Sequence, residues 1–189
     1  MKKTFFLLLA LVMTARATVA ALATPFYLEA AGVTVDVPVG MAGQDVSGGA
    51  MYCLAISGSD HPAVTYACSL RYMVEFAGCW LEDLSDEEAD ALLAGVSQSM
   101  ADSSFDIAEI NGYKALLATD EDTGARARYI SLFNGWLCDI AAANENGEPL
   151  TGDQIALAAQ ILVSIQFDED GEGVGAEAGG LYLEDEDME

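Results

Sequence analysis

Two Asn-Gly pairs, Asn111-Gly112 and Asn134-Gly135, each lie between runs that suit β-strands. A two-residue type I′ turn needs positive φ at both central residues, and Asn-Gly supplies that most cheaply. Each pair therefore fixes a hairpin together with its register. The first sets Ile110 against Tyr113 and Glu109 against Lys114, a cross-strand charge pair worth about 0.2–1 kcal/mol. The second sets Phe133 against Trp136 and Ser131 against Cys138. A polar turn from Thr119 to Gly124 links the hairpins, so residues 105–143 read as a four-stranded antiparallel meander. One face gathers Tyr129, Phe133, Trp136, Cys138 and Ile140; the other carries Arg126, Arg128, Ile130, Leu132, Leu137 and Asp139. Both faces are partly apolar, which predicts cover on both.

The flanking sequence supplies strands and that cover. Val33, Val35 and Val37 alternate with Thr34 and Asp36, the period of a half-buried strand, and Pro38 ends it. Gly40–Gly49 reads as a Gly-rich connection without the order a nucleotide loop requires. Met51–Ser57 and Val64–Phe76 read as strands, the second placing Val64 through Phe76 in alternation on one face. Ser85 with Glu88 forms a capping box that opens a helix, whose apolar stripe is Ala89, Leu92, Leu93, Val96 and Met100. Thr151 with Gln154 opens a second helix running to about Val163, with Ile155, Ala158, Ala159 and Leu162 as its buried stripe. Ser164–Phe167 is a short extended finish. The expected fold class is α+β: an antiparallel sheet built around the meander with two amphipathic helices packed on it.

The two ends read differently from this body. Met1-Lys2-Lys3 followed by the apolar run Thr4–Met13 has the form of a signal peptide, with cleavage after Ala23. The run is shorter than the roughly 20 residues a membrane-spanning helix needs. At the other end, residues 168–189 hold ten acidic residues, no basic one, and a single apolar knot at Leu181-Tyr182-Leu183. Such a composition predicts a disordered acidic tail. The organisation is thus a signal peptide over 1–23, one α+β domain over 24–167 and a tail over 168–189.

Charge narrows the partners. After position 23 only Arg71, Lys114, Arg126 and Arg128 remain against 31 acidic residues, so the net charge is 4 − 31, or −27. Phosphate backbones and anionic lipid surfaces are bound mainly through Lys and Arg, so nucleic acid and bare membrane are poor partners. Arg126 and Arg128 share a face with Asp139, which makes these three the first candidates for a binding surface.

Little catalytic chemistry is on offer. His61, the one histidine, precedes Pro62 in a turn, and a nucleophilic relay needs an imidazole beside its nucleophile. The cysteines Cys53, Cys68, Cys79 and Cys138 form no C-x-x-C. An even count in an exported chain permits disulfides, with Cys53–Cys68 across a hairpin and Cys79–Cys138 as the pairing to test, against buried free thiols as the alternative. Oxygen donors suited to Ca²⁺ cluster at Asp120 and Asp122 and at Asp168 and Asp170, without completing an EF-hand loop. No cofactor is called for.

The phrase Glu29-Ala30-Ala31-Gly32-Val33-Thr34-Val35-Asp36-Val37-Pro38 and the close Ile161-Leu162-Val163-Ser164-Ile165-Gln166-Phe167, together with the meander, resemble the PsbP-like fold class of small exported bacterial proteins. The resemblance covers residues 26–167 and implies an antiparallel sheet with helices on its faces. That class includes a photosystem subunit and binding proteins, and it offers no shared catalytic set to carry over. The expectation is an exported, non-enzymatic binding or accessory module, engaging a protein or envelope partner. Two alternatives are a secreted glycan hydrolase working through two carboxylates and a Ca²⁺-responsive module.

Overall fold

A computed structural model describes residues 23–49, 51–58, 63–85, 87–89, 91–92 and 103–168, Phe105 by its backbone only. Among the described residues, ten strands form two antiparallel sheets. The larger has the order β3-β4-β5-β9-β8-β7-β6 and the smaller β1-β2-β10. Their ranges are β1 Thr24–Leu28, β2 Val33–Val37, β3 Met41–Asp45, β4 Tyr52–Gly58 and β5 Val64–Tyr72. The remainder are β6 Ser103–Ile110, β7 Tyr113–Asp120, β8 Arg126–Phe133, β9 Trp136–Asn144 and β10 Gln166–Phe167. Helix α1 spans Gly152–Val163.

The meander is present as β6 to β9, over 103–144, and both Asn-Gly pairs adopt the left-handed conformation expected of them. Asn111 and Gly112 have φ of 57° and 86°, and Asn134 and Gly135 have 50° and 86°. The registers follow from the turns: Ile110 faces Tyr113, Glu109 faces Lys114, Phe133 faces Trp136 and Ser131 faces Cys138.

The meander is only four sevenths of its sheet. Strand β9 pairs along its whole length with β5, Val64 facing Asn144 and Tyr72 facing Trp136, which joins it to a second meander of β3, β4 and β5. Strand β3 falls in the segment whose glycines read as a connection. Its Gly43 explains the misreading. A Cβ there would lie 3.0–3.1 Å from Phe26, Leu54 and Val37 side chains, so the glycine lets the edge of the large sheet approach the small one.

The small sheet and α1 cover one face of the large sheet, which we term the inner face. Val33, Val35 and Val37 are all buried, as their alternation predicts. They share one core with Leu54, Ile56, Tyr66, Cys68, Leu70 and Ile140 of the large sheet and with Ala158, Ala159, Ile161 and Leu162 of α1. Thr151 caps α1 as expected, accepting from the Gln154 amide at 3.3 Å while its own amide donates to Gln154 Oε1 at 2.7 Å. At the other end Ser164 Oγ accepts from the Asp36 amide at 3.0 Å, tying the helix to β2. Trp136 ties the layers together, its ring lying 5.4 Å from Tyr72, 5.9 Å from Tyr52 and 5.7 Å from Phe167 of β10.

Three expectations change. Strand β5 ends at Tyr72 instead of Phe76, and Val74–Phe76 is a 3-10 turn that leaves Val74 63% exposed. Phe76 consequently packs on the opposite face from Leu70. Of the two helices expected, α1 is complete. The other is described only at residues 87–89 and 91–92, with the Ser85–Glu88 capping box formed and Leu92 buried. Its stripe beyond Leu92, the segment 1–22, His61 and the tail past Asp168 lie outside the described residues.

The β3 finding is testable by substitution. Gly43→Val forces a branched side chain against Phe26, Leu54 and Val37 and should cost about 1–3 kcal/mol of stability. Gly48→Val, where an added Cβ meets nothing within 4 Å, should cost less than about 0.5 kcal/mol. Urea unfolding of both variants checks this; equal costs would mean that Gly43 is not at a sheet-to-sheet contact.

Candidate functional site

Among the described residues, the outer face of the large sheet is covered at one end. There Met73, Leu81 and Leu92 pack on Leu116, Ile130 and Leu132, with Phe76, Cys79, Leu84 and Leu137 around them. The cover is pinned to the β8–β9 turn, since the Met73 amide donates to the Gly135 carbonyl at 2.9 Å and the Gly135 amide donates to the Cys79 carbonyl at 3.0 Å. A Cβ on Gly135 would stand 3.1 Å from Ala77 and 3.0 Å from Tyr72. The glycine therefore serves the hairpin through its φ and the cover through its missing side chain.

Where the cover stops, a groove of about 550 Å³ opens on the sheet. Its floor is built by cross-strand register. Ser69 of β5 faces Asp139 of β9, which faces Ile130 of β8, and Arg71 faces Leu137 one step along. Arg128 stands two residues from Ile130 on the same face, because side chains of a strand alternate. Met73, Phe76 and Leu92 form the apolar wall, and Glu75 lines the groove with them.

Within the groove Arg128 grips Asp139 with one edge of its guanidinium. Its Nε donates to Oδ1 at 3.1 Å and its Nη2 donates to Oδ2. The two side chains are 20% and 18% exposed, so the pair is substantially shielded from water. Arg71 is more exposed. Its Nη2 lies 3.8 Å from Met73 Sδ, and among the described residues no carboxylate stands within 4.0 Å of it.

The candidate surface read from sequence is therefore partly assembled. Arg128 and Asp139 line the groove, joined by Arg71, whereas exposed Arg126 begins β8 outside its lining. Sequence reasoning missed Arg71 because its place beside Asp139 depends on the β5–β9 ladder, for which no turn gives a signal. The alternation of β5 did put Arg71 on the polar face.

The two disulfides considered are not formed, and all four cysteines are free thiols. Register explains the first: Cys53 faces Ser69 and Cys68 faces Leu54, so the two sulfurs point to opposite faces of the sheet. Cys53 Sγ instead lies 3.6 Å from Ser69 Oγ. Cys138 is in the inner core and Cys79 packs under the outer cover, which leaves the sheet between them. Burial raises the pKa of the Cys68 and Cys138 thiols well above the ordinary value; the charge of Cys53 adds to the effect at Cys68, that of Cys68 at Cys138, and that of Asp139 at both.

Of the oxygen donors considered for Ca²⁺, Asp120 and Asp168 have other partners. Asp120 closes its own turn, accepting from Thr123 Oγ1 at 2.6 Å and from the amides of Asp122 and Thr123 at 3.0 and 3.3 Å. The Thr123 hydroxyl bond, helped by those amides and by Arg126, holds its carboxyl below the usual range. Asp168 accepts from Tyr27 Oη at 2.8 Å on the far strand pair, and Asp170 lies outside the described residues. Among the described residues no three His, Cys, Asp or Glu side chains gather around a common point. Nor is any described helix long and apolar enough to cross a membrane.

No protein-family model matches the chain, and no curated protein matches its sequence. Solved structures do match. The solution structure of cyanobacterial PsbP (CyanoP) from Synechocystis sp. PCC 6803 superposes with a TM-score of 0.50 at 14% identity, covering 78% of this chain and 93% of that one. A crystal structure from Bacteroides thetaiotaomicron VPI-5482 gives a TM-score of 0.49 at 11% identity, covering 78% of this chain and 49% of its own length.

Two measurements check the site's construction. Thiol titration should find Cys53 and Cys79 reactive in the native protein and all four cysteines only after unfolding; four fast native thiols, or fewer than four in denaturant without reductant, would contradict the assignment. Asp139→Ala should cost about 1–3 kcal/mol, because it removes a two-point ion-pair partner from a shielded guanidinium. A double-mutant cycle with Arg128→Met should return a coupling of at least about 0.5 kcal/mol, and additive losses would show that the pair does not act as one. The likeness to CyanoP, at 14% identity, is one of fold: the chain resembles the PsbP-like fold in structure.

Proposed function

We propose that this chain is an exported, non-enzymatic binding or accessory module, and that the outer-face groove is its ligand site. The observation that carries the reading is the placement of cations. Only four basic residues follow position 23, and two of them, Arg71 and Arg128, line this one groove. Balancing Asp139 requires one bidentate guanidinium, which Arg128 supplies. Export rests on the signal-like first 23 residues, and a protein or envelope partner is the counterpart expected of such a module. The charge of 4 − 31 = −27 after position 23 argues against nucleic acid and anionic lipid.

The hydrolase alternative has two acids to draw on in the groove, Glu75 and Asp139. Asp139, however, has both of its oxygens engaged by Arg128 and offers neither free to a substrate.

A thermal-shift screen of metabolites, peptides and oligosaccharides against the wild-type chain and Ser69→Trp tests the reading. Ligands of the groove should raise the wild-type midpoint and leave the variant unmoved. Hits that persist in Ser69→Trp would place binding elsewhere. Turnover of a glycoside panel that is lost in Glu75→Gln would replace the binding module with an enzyme.

A further inference from the structure

We infer that the groove takes an amphipathic carboxylate, whose single anionic group sits on the Arg71 guanidinium and whose apolar body lies against Met73, Phe76 and Leu92. This deepens the reading of the groove as ligand site and rests on it. Of the two guanidinium groups lining the groove, Arg71 is the one that no described carboxylate engages. Among the described residues its guanidinium has only the weak contact to Met73 Sδ at 3.8 Å, and it projects from the sheet where the apolar wall begins. A guanidinium presents parallel N–H donors that match the two oxygens of a carboxylate, and such pairs are stronger than neutral hydrogen bonds.

The neighbouring charges decide how much negative charge the ligand carries. Arg128 is engaged by Asp139, and Glu75 lines the same groove. Among the described residues, a phosphate ester with nearly two charges would meet one available guanidinium, the Glu75 carboxylate and the mutually neutralised Arg128–Asp139 pair, which favours a monoanion. The overall charge of −27 (4 − 31 after position 23) opposes anions at long range. Over distances beyond about 8 Å that repulsion is screened at physiological salt, so the local contact dominates. The apolar wall supplies the rest of the recognition, since ligand sites are lined chiefly by hydrophobic side chains with a few placed polar groups. A cavity of about 550 Å³ lies within the range for such ligands.

Dodecanoate, dodecan-1-ol and dodecyltrimethylammonium share one chain and differ in head group, so titrating each into the protein by calorimetry isolates the carboxylate. Dodecanoate should bind saturably at one site, and the other two about tenfold more weakly or worse. Arg71→Gln, at an exposed position, should weaken dodecanoate by about tenfold and leave dodecan-1-ol unchanged. Equal binding of acid and alcohol, or an unaltered Arg71→Gln, would overturn the carboxylate assignment; dodecanoate binding blocked by Ser69→Trp would then still support the groove. Dodecanoate binding that survives in a folded Ser69→Trp would overturn the groove itself. No binding of dodecanoate, alongside a screened ligand that Ser69→Trp blocks, would refute the ligand class and retain the site.

Discussion

The ladder between β5 and β9 is the constraint on which the rest of the structure depends. Two meanders, β3–β5 and β6–β9, are each built from neighbours in sequence, and nine residue pairs from Val64–Asn144 to Tyr72–Trp136 join them. A slip of one residue along that ladder would turn Cys138, Ile140 and Ala142 away from Cys68, Leu70 and Tyr66, because side chains alternate with a period of two. The inner core, with its buried helix and its Trp136 cluster, would then lose the partners of β5. The valines of β2 and the alanines of α1 pack on a surface that exists only once this register is set.

Most of the local structure was legible in the residues. Asn111-Gly112 and Asn134-Gly135 gave their hairpins and registers, Thr151 with Gln154 gave α1, and Val33, Val35 and Val37 gave the buried face of β2. These features are encoded by residues close together in the chain. What stayed hidden depends on contacts made at a distance. Gly43 reads as a breaker until Phe26 and Val37 arrive beside it, and Phe76 continues the alternation of β5 until the cover turns it to the other face. The candidate site was half visible for the same reason. Arg128 and Asp139 belong to neighbouring strands of one hairpin, whereas Arg71 comes from the other meander.

The thiols show how a rule based on compartment yields to geometry. An even number of cysteines in a chain whose start reads as a signal peptide suggests bridges, yet Cys53 and Cys68 sit on opposite faces of a sheet one position out of phase. Cys68 and Cys138 serve instead as small apolar fillers in the inner core. A domain of this size closes a full core without cross-links, and the two layers on the inner face supply it.

The groove straddles the seam between the two meanders. Arg71 and Ser69 come from β5, while Leu137, Asp139 and Arg128 come from β9 and β8. Neither half-sheet alone can form it. A ligand that bridges Arg71 and the β8–β9 side therefore adds its binding free energy to the joint of highest sequence separation within the large sheet, by mass action on the closed form. Occupancy would slow the parting of the two half-sheets more than the opening of either hairpin, making the seam itself the mechanical readout of whether the site is filled.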